Sequence, residues 1–293
     1  MINNVVKRRI VVIDFFHALA EPDNLFLRYA LIMGGLASVS FGIIGTFVTA
    51  KRIGYLAGAI SHSIFGGIGL ALYLQVKVGL TWFHPLLGAI IFAILAALMV
   101  GLISIYAKDR EDTIIGTLWA VGMAAGLLFI DRTPGYFDLS SYLFGDILLI
   151  SRSDLFFISL LDLLVLGLSM TFYTRFFGVC FDSEFVSLRG LNAVFIYLLL
   201  LILTSLTVVL MVRIVGIVLV IALLTIPPAI ASFFARRLWQ MMVYSMVLCL
   251  VFTYTGIGVS YSLSLSTGPS IIIISGIAYL ITLVFHKVIK NHI

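Results

Sequence analysis

The chain contains an uninterrupted apolar run, Val215 to Ala235, whose 21 residues carry no charge before Arg236 and Arg237 follow. A helix needs about 20 apolar residues to cross a bilayer, so this run is long enough to span one. Two adjacent prolines, Pro227 and Pro228, lie within it, and a proline removes a backbone donor and kinks or breaks a helix. We therefore predict a membrane segment that breaks at this proline pair, acting as a hinge, just before a basic loop.

The composition of the whole chain agrees with a membrane protein. Hydrophobic residues make up 62% of the sequence and charged residues 11%, whereas soluble domains carry about 25% charged residues. The net charge of +5 is scattered between apolar runs, a pattern that reflects membrane topology rather than nucleic-acid binding. The two cysteines, Cys180 and Cys249, are isolated and give no disulfide framework.

Charge-free runs divide the chain into nine candidate spans. They are Tyr29–Ala50, Ile53–Val76, a span from about Pro85 within Val78–Ala107, Thr113–Ile130, Leu155–Thr174, Leu191–Val212, Ile214–Ala235, and two spans within Leu238–Phe285. The polar stretch Ser260–Ser270 marks the turn between the last two. The fold class is therefore all-α, a polytopic transmembrane bundle of eight or nine spans over residues 25–293.

Basic residues in the connecting loops predict the orientation, because cytoplasmic loops carry an excess of lysine and arginine. One set of loops contains Lys51, Arg52, Lys108, Arg110, Arg175, Arg189, Arg236 and Arg237, and the opposite set contains Lys77, Arg132, Arg152 and Arg213. The first set is therefore assigned to the cytoplasm. Nine spans would leave Lys7–Arg9 outside, so either residues 1–24 form an amphipathic segment in the interface, or one weak span does not cross.

Two cytoplasmic loops differ from plain connections. Cys180–Asn192 begins with acidic residues and predicts a short helix, with Asp182 as its N-cap and Glu184 near the positive end of its dipole. Ala229–Gln240 follows the double proline. Each loop is also compatible with an ordinary solvated connection.

One histidine lies deep in the second span. His62 is the only ionisable side chain between Arg52 and Lys77, in a segment with glycines at 54, 58, 66, 67 and 69. Ionisable groups inside a membrane usually face a cavity or the bundle interior, and neutral imidazole binds zinc and other transition metals. His62 is therefore a candidate metal ligand, and the alternative is a histidine hydrogen-bonded between helices.

Asp162 lies in the middle of the fifth span. It is a second candidate contact for a cation, and the alternative is a protonated acid bonded to a neighbouring serine or tyrosine. Asp14 with His17, His84 and Asp146 are assigned to exposed or interfacial positions. The sequence has no GxxxxGK[ST], HExxH or GxSxG motif, so P-loop ATP hydrolysis, protease and esterase chemistry have no support.

Six motifs in the same order resemble one family, the membrane permease subunits of the zinc, manganese and iron-chelate class (ABC-3) of bacterial ATP-binding cassette importers. The family segment VGxLLVxALLxxPAATAxxxAR is similar to VGIVLVIALLTIPPAIASFFAR. The others, in chain order, are GAISHSIFGGIGLA, EDTIIGTLWAVGMAAGL, SYLFGDILLISRSDL, FDSEFVSLRGL and TGPSIII.

This resemblance implies a bacterial inner-membrane permease that is not itself an enzyme and binds no cofactor. It implies a homodimer, or a pair with a sister permease, that carries two cytoplasmic subunits binding ATP. It also implies an extracytoplasmic metal-binding protein that delivers a divalent metal, zinc or manganese first and iron third.

The resemblance extends to particular residues. His62 matches the family's histidine in the translocation path, but Gly58 stands where the family commonly has aspartate, and Pro228 stands where it usually has alanine. Docking to the ATPase is expected first in Ala229–Gln240, with the residues Ser232, Arg236 and Arg237, and second in Asp182–Arg189, with the residues Asp182, Glu184 and Arg189.

Two rival functions remain at this stage. A stand-alone secondary cation transporter or channel would use Asp162 and His62 as a relay and would need neither ATP nor a partner. A permease for a larger cargo, such as a siderophore or cobalamin, would usually have ten spans and a chain longer than 293 residues.

Overall fold

This computed structural model describes residues 25–106, 111–134, 143–145 and 152–291. The predicted interfacial segment at residues 1–24, with Asp14 and His17, and the predicted position of Asp146 lie outside the described residues. The helices in chain order are α1 (Leu25–Lys51), α2 (Gly54–Tyr73, continued by the π-helical turn Leu74–Val78), α3 (Pro85–Tyr106), α4 (Glu111–Asp131), α5 (Arg152–Thr171), α6 (Tyr173–Phe181), α7 (Ser183–Leu188), α8 (Ala193–Val215), α9 (Ile217–Phe234), α10 (Leu238–Leu263) and α11 (Thr267–Asn291).

Nine helices in the described part of the chain are long and apolar enough to cross a membrane. The predicted all-α bundle is confirmed at the upper of its two span counts. The turn expected within Ser260–Ser270 is also confirmed, because α10 ends at Leu263 and α11 begins at Thr267. Only α6 and α7 fall outside this set, and they follow α5 on the side that the basic loops assign to the cytoplasm.

Helix α2 is packed closely between α3 and α4 by glycines. A Cβ atom on Gly67 would overlap the carbonyl of Gly88 in α3, and one on Gly69 would overlap the carbonyl of Gly126 in α4. Small residues of this kind let helix backbones approach each other in a membrane, where dispersion contacts rather than water drive association. The glycines of the second span therefore fix the position of α2, the helix that carries His62.

Helix α1 packs against α5, α9 and α10. Gly42 lies against the backbone of Met246 in α10, and Gly45 lies against the Leu224 carbonyl and the Pro228 ring of α9. Its apolar side chains, among them Phe41, Ile44 and Phe47, are fully buried. Helix α1 therefore joins α5 to the later helices α9 and α10.

Helix α9 continues through Pro227 and Pro228 and ends only at Phe234, so the predicted break at the prolines is wrong. The predicted cytoplasmic loop Ala229–Gln240 is shorter than expected, and its role in docking to the ATPase stays a prediction. Its first part closes α9, its last part opens α10, and only the link 235–237 lies between them. A hinge role for the two prolines is untested and stays a prediction.

The helix persists through the prolines, and one of the two carbonyls that they leave free gains a new donor while the other packs against a glycine. Pro227 removes the usual donor to Leu223, and the thiol of Cys249 in α10 donates to that oxygen at 3.6 Å. The second freed carbonyl, on Leu224, lies against Gly45, where a Cβ atom would stand 2.5 Å from the oxygen. Such compensation is what allows proline inside a membrane helix.

Three of the sequence motifs meet at the junction of α8 and α9. Gly216, between the two helices, has a φ of 84°, a conformation that favours glycine. Side-chain atoms on Gly216 or Gly145 would overlap the backbone of the other segment, and a Cβ on Gly268 would lie 2.5 Å from the Phe144 carbonyl oxygen. Residues 143–145 of the YLFGD motif thus form one packed corner with the VG and TGP motifs.

Candidate functional site

His62 lies in α2 and is only 8% exposed. Its Nδ1 atom is buried and has no hydrogen-bond partner among the described residues. The serines on either side do not turn toward it, because Ser61 donates to the Ala57 carbonyl at 2.7 Å and Ser63 to the Ala59 carbonyl at 2.9 Å. The predicted hydrogen bond between helices is therefore not formed at this nitrogen.

An indole ring covers the imidazole of His62. The ring of Trp119 in α4 stacks on it, with centroids 4.3 Å apart and planes at 18°. The same indole lies over Gly58, one helical turn before His62, where a Cβ atom would be 3.0 Å from Trp119 Cζ3. The space in which a carboxylate would begin is thus occupied by an aromatic ring.

The described residues contain no group of three or more histidine, cysteine, aspartate or glutamate side chains that could hold a metal. His62 offers one imidazole nitrogen, and a bound metal needs further ligands. The arrangement fits brief contact with a passing cation better than a resident metal ion.

Asp162 is buried in α5, at 5% exposure, and its neighbours differ from those of His62. Ser40 of α1 donates from its hydroxyl to Asp162 Oδ1, while Oδ2 has no partner among the described residues. Of the two readings of this aspartate, the geometry favours the hydrogen bond to a neighbouring serine. A role in cation passage is untested.

The helix predicted at Asp182–Arg189 is present as α7. The Asp182 side chain accepts from the Phe185 N–H at 2.9 Å, which confirms Asp182 as the N-cap, and Glu184 lies exposed in the first turn. Val186 is buried against Gly178 of α6, whereas Phe185 and Leu188 are 49% and 86% exposed. The short helix therefore rests on one apolar residue and presents two others outward.

A lysine joins this cytoplasmic region to the end of α1. Lys51 Nζ donates to the Val179 carbonyl at 2.7 Å and lies 5.8 Å from the centroid of the Tyr197 ring. Phe47 packs edge-on against Phe176 of α6, with centroids 5.3 Å apart. A groove of about 770 Å³ runs beside these contacts, lined by residues that include Arg52, Glu184 and Leu188.

The segment expected first for docking, Ala229–Gln240, contains a tight link at residues 235–237. Arg236 and Arg237 are exposed, and both backbone N–H groups donate to Gln240 Oε1, at 3.1 and 3.2 Å. Ser232 is exposed, but its hydroxyl donates back to the Ala229 carbonyl at 2.7 Å. The two arginine side chains are therefore the groups that this link presents to a partner.

Sequence reasoning missed Trp119, Ser40 and Lys51 as parts of these sites. Trp119 lies three residues before Gly122, at the start of the close contact between α4 and α2. The spacing of Trp119 and Gly122 can be read within the motif EDTIIGTLWAVGMAAGL. The sequence does not show, however, that α4 packs against α2. Ser40 lies 122 residues from Asp162 and gave no local signal.

The chain has relatives over most of its length. The family model described as the ABC 3 transport family matches residues 23–286. A probable metal transport system membrane protein of Chlamydia pneumoniae is 40% identical over 252 residues, 86% of each chain. The manganese transport system membrane protein MntC of Listeria monocytogenes is 29% identical over 260 residues, 89% of this chain and 90% of its own.

A solved structure shares the fold. PsaBC from Streptococcus pneumoniae in complex with Fab superposes with a TM-score of 0.80 at 27% identity, covering 92% of this chain and 95% of the other. Its likeness to the nine-span bundle agrees with the family match along nearly the whole sequence. This multi-pass membrane protein belongs to the ABC 3 transport family.

Proposed function

We propose that this chain is the permease subunit of an ATP-binding cassette importer that moves a divalent transition metal into the cytoplasm by alternating access. Zinc and manganese are the first candidates and iron the third. The observation that carries the proposal is His62, whose unpartnered imidazole nitrogen is buried inside a membrane span. The Chlamydia relative, a probable metal transport system membrane protein, and the Listeria relative, a manganese transport system membrane protein, support it.

We infer that the ATPase subunits, which bind ATP, contact the cytoplasmic end of the bundle. Helix α7 is the preferred surface, because it is a separate short helix with Phe185 and Leu188 exposed and with Asp182, Glu184 and Arg189 available for polar contacts. The link with Arg236 and Arg237 is the second surface. The Lys51 contact would pass a displacement of α7 to α1.

A second permease copy is proposed to pack on α4. The exposed face of this helix carries Gly116, Ala120 and Ala124 at four-residue spacing, and such small residues suit close helix association in lipid. Trp119 borders the same face, so two copies would bring their two His62 sites near one shared path. An extracytoplasmic metal-binding protein would deliver cargo to the opposite end.

Reconstitution tests the proposal directly. The permease is purified with its co-purifying ATPase, placed in vesicles, and assayed for uptake of radiolabelled zinc and manganese with and without ATP. Uptake should require ATP and should fall in His62→Ala, with His84→Ala as the matched control, because His84 is exposed at the start of α3. Uptake without ATP or any partner would instead support a stand-alone secondary transporter.

A further inference from the structure

Three residues on two helices form one unit at the metal path. Gly58 and His62 are four residues apart, on the same face of α2. Both face the Trp119 indole, which stacks on the imidazole at 4.3 Å and fills the space above the glycine. A larger residue at 58 would push the ring away from this position, because its Cβ atom would lie 3.0 Å from Trp119 Cζ3.

Close packing of the α4 backbone on α2 fixes the position from which the Trp119 indole projects. Three residues after Trp119, a Cβ atom on Gly122 would lie 2.7 Å from Ser63 Cα, and Gly126 packs as closely on Phe65. The Trp119 side chain itself is 38% exposed, so the described residues of this chain do not enclose its outer edge. Packing therefore fixes the α4 backbone at Trp119, whereas the indole ring is open on one side and is free to move there.

We propose that Trp119 is a gate over His62, closed in this conformation, and that Gly58 is the residue that makes room for it. A stacked ring covers the face of the imidazole but cannot use the in-plane lone pair of Nδ1, which stays buried and unpartnered. The indole separates the imidazole from the exposed face of α4, so a cation that arrives from that face reaches His62 only when the indole turns aside. Trp119 is thus a positioning residue for metal access, and a carboxylate at 58 would displace its ring.

The proposal relies on the proposed function only in naming a metal ion as the species that reaches His62. The shielding itself is a property of the packing and can be measured without transport. Two experiments on the complete complex therefore test the two parts separately.

The first experiment measures access to His62 with diethyl pyrocarbonate, which modifies accessible neutral imidazole and is read by mass spectrometry. In Trp119→Ala, modification of His62 should be about tenfold faster than in the wild type, the change expected when one aromatic contact no longer holds the site closed. Trp119→Phe, which keeps a ring, should stay near the wild-type rate. His84 and His286, both exposed, serve as internal references and should react equally in all variants.

An unchanged rate at His62 in Trp119→Ala, with unchanged references, would overturn the gate. Should that variant fold poorly, as judged by altered reference rates, Trp119→Leu replaces it, because leucine preserves apolar packing without the stacked face. Equal protection in Trp119→Leu and the wild type would overturn the gate as well.

The second experiment tests the link between Gly58 and Trp119 through ATP-driven uptake. Gly58→Asp alone should lower uptake about tenfold, because the new Cβ meets the indole at 3.0 Å. In the double variant Gly58→Asp with Trp119→Ala, the carboxylate has room, and uptake should recover to within about threefold of Trp119→Ala alone. A double variant whose loss equals the product of the two single losses would contradict the link.

The two failures are distinguishable. Full uptake by His62→Ala would remove His62 from the proposed transport function, while the labelling rates would still report whether Trp119 shields it. Loss of uptake in His62→Ala together with unchanged labelling in Trp119→Ala would leave the transport proposal standing and remove the gate.

Discussion

The thiol of Cys249 in α10 donates to the carbonyl oxygen of Leu223 in α9, at an S···O distance of 3.6 Å. This oxygen would accept from the N–H of residue 227 in a regular helix, but residue 227 is proline. The cysteine is fully buried and therefore cannot be replaced by water in this role. A side chain from the following helix thus takes over a backbone hydrogen bond within the membrane.

We expect Cys249→Ala to destabilise the protein by about 1 kcal/mol, because the Leu223 carbonyl is then buried without a donor. Cys249→Ser, which keeps a donor, should be less affected. In a Pro227→Ala background, the restored N–H satisfies Leu223, so the effect of Cys249→Ala should largely disappear. The measurement is the midpoint of heat-induced loss of the monodisperse protein in detergent for all four combinations of the two alanine substitutions.

The stability loss caused by Cys249→Ala is compared in the wild type and in the Pro227→Ala background, and this comparison separates hydrogen bonding from packing. An equal loss of stability from Cys249→Ala in both would mean that the thiol contributes packing volume alone.

The docking surface can be mapped with thiol reagents, because the native cysteines are unreactive. Burial raises the pKa of the Cys180 thiol to about 12, opposed in part by the charge of Lys51, and Cys249 is fully buried. A new cysteine in place of Leu188, which is 86% exposed, should react rapidly with a maleimide in the permease alone. Bound ATPase should slow this reaction at least about tenfold if α7 is the docking helix.

Two further cysteines complete that experiment. Phe234→Cys, at a site 65% exposed beside the second docking segment, tests whether the ATPase covers the α9–α10 link. Trp82→Cys, at a site 69% exposed before α3, should react at the same rate with and without the ATPase. Equal reactivity of Leu188→Cys in both states would exclude α7 as the contact.

Arg236 and Arg237 give a charge test of the second segment. Replacing both by glutamate should lower the amount of metal transported per ATP hydrolysed about tenfold, because the link presents only these two charges. The proposed dimer should stay intact. The measurement is metal transported per ATP hydrolysed in vesicles, with cross-linking to confirm the dimer. Unchanged coupling would remove the docking role of this link.

The sequence predicted what depends on local chemistry and on the membrane. Nine spans followed from charge-free runs because lipid accepts few alternatives to a helix. The Asp182 cap followed from residue type and position alone. The break at Pro227 was predicted wrongly because its compensation comes from Cys249, 26 residues beyond Leu223. Trp119 over His62 depends on which helices pair, and apolar periodicity in a membrane says little about that.

Lys51 should matter for coupling more than for assembly. Lys51→Met removes the 2.7 Å hydrogen bond to the Val179 carbonyl, so α6 keeps only the weaker contact of the Cys180 thiol with the Phe47 carbonyl, at 3.8 Å, among the polar contacts to α1 that the described residues show. We expect ATPase binding to be retained and transport per ATP to fall about fivefold to tenfold. Lys77→Met is the control, because Lys77 is an exposed lysine in the π-helical turn that continues α2. Wild-type coupling in Lys51→Met would show that displacement is not passed through this contact.

Asp162 and Ser40 provide the sharpest test of whether a buried carboxylate carries cargo or joins helices. Asp162→Asn keeps an oxygen that can accept from Ser40 and removes the charge. If the hydrogen bond is what matters, metal uptake should stay within about twofold of the wild type. Asp162→Leu and Ser40→Ala should each lower thermal stability, by about 1 kcal/mol, because each removes one side of the pair.

The double variant separates this pair from a cation site. With Ser40→Ala and Asp162→Leu combined, the loss of stability should be smaller than the sum of the single losses, since the two substitutions remove the same bond. A cation contact predicts the opposite pattern in transport: Asp162→Asn would abolish uptake, because a neutral amide attracts a divalent ion far less than a carboxylate does, while stability would hardly change. Uptake and melting midpoints measured on the wild type and these four variants therefore distinguish the two roles of Asp162.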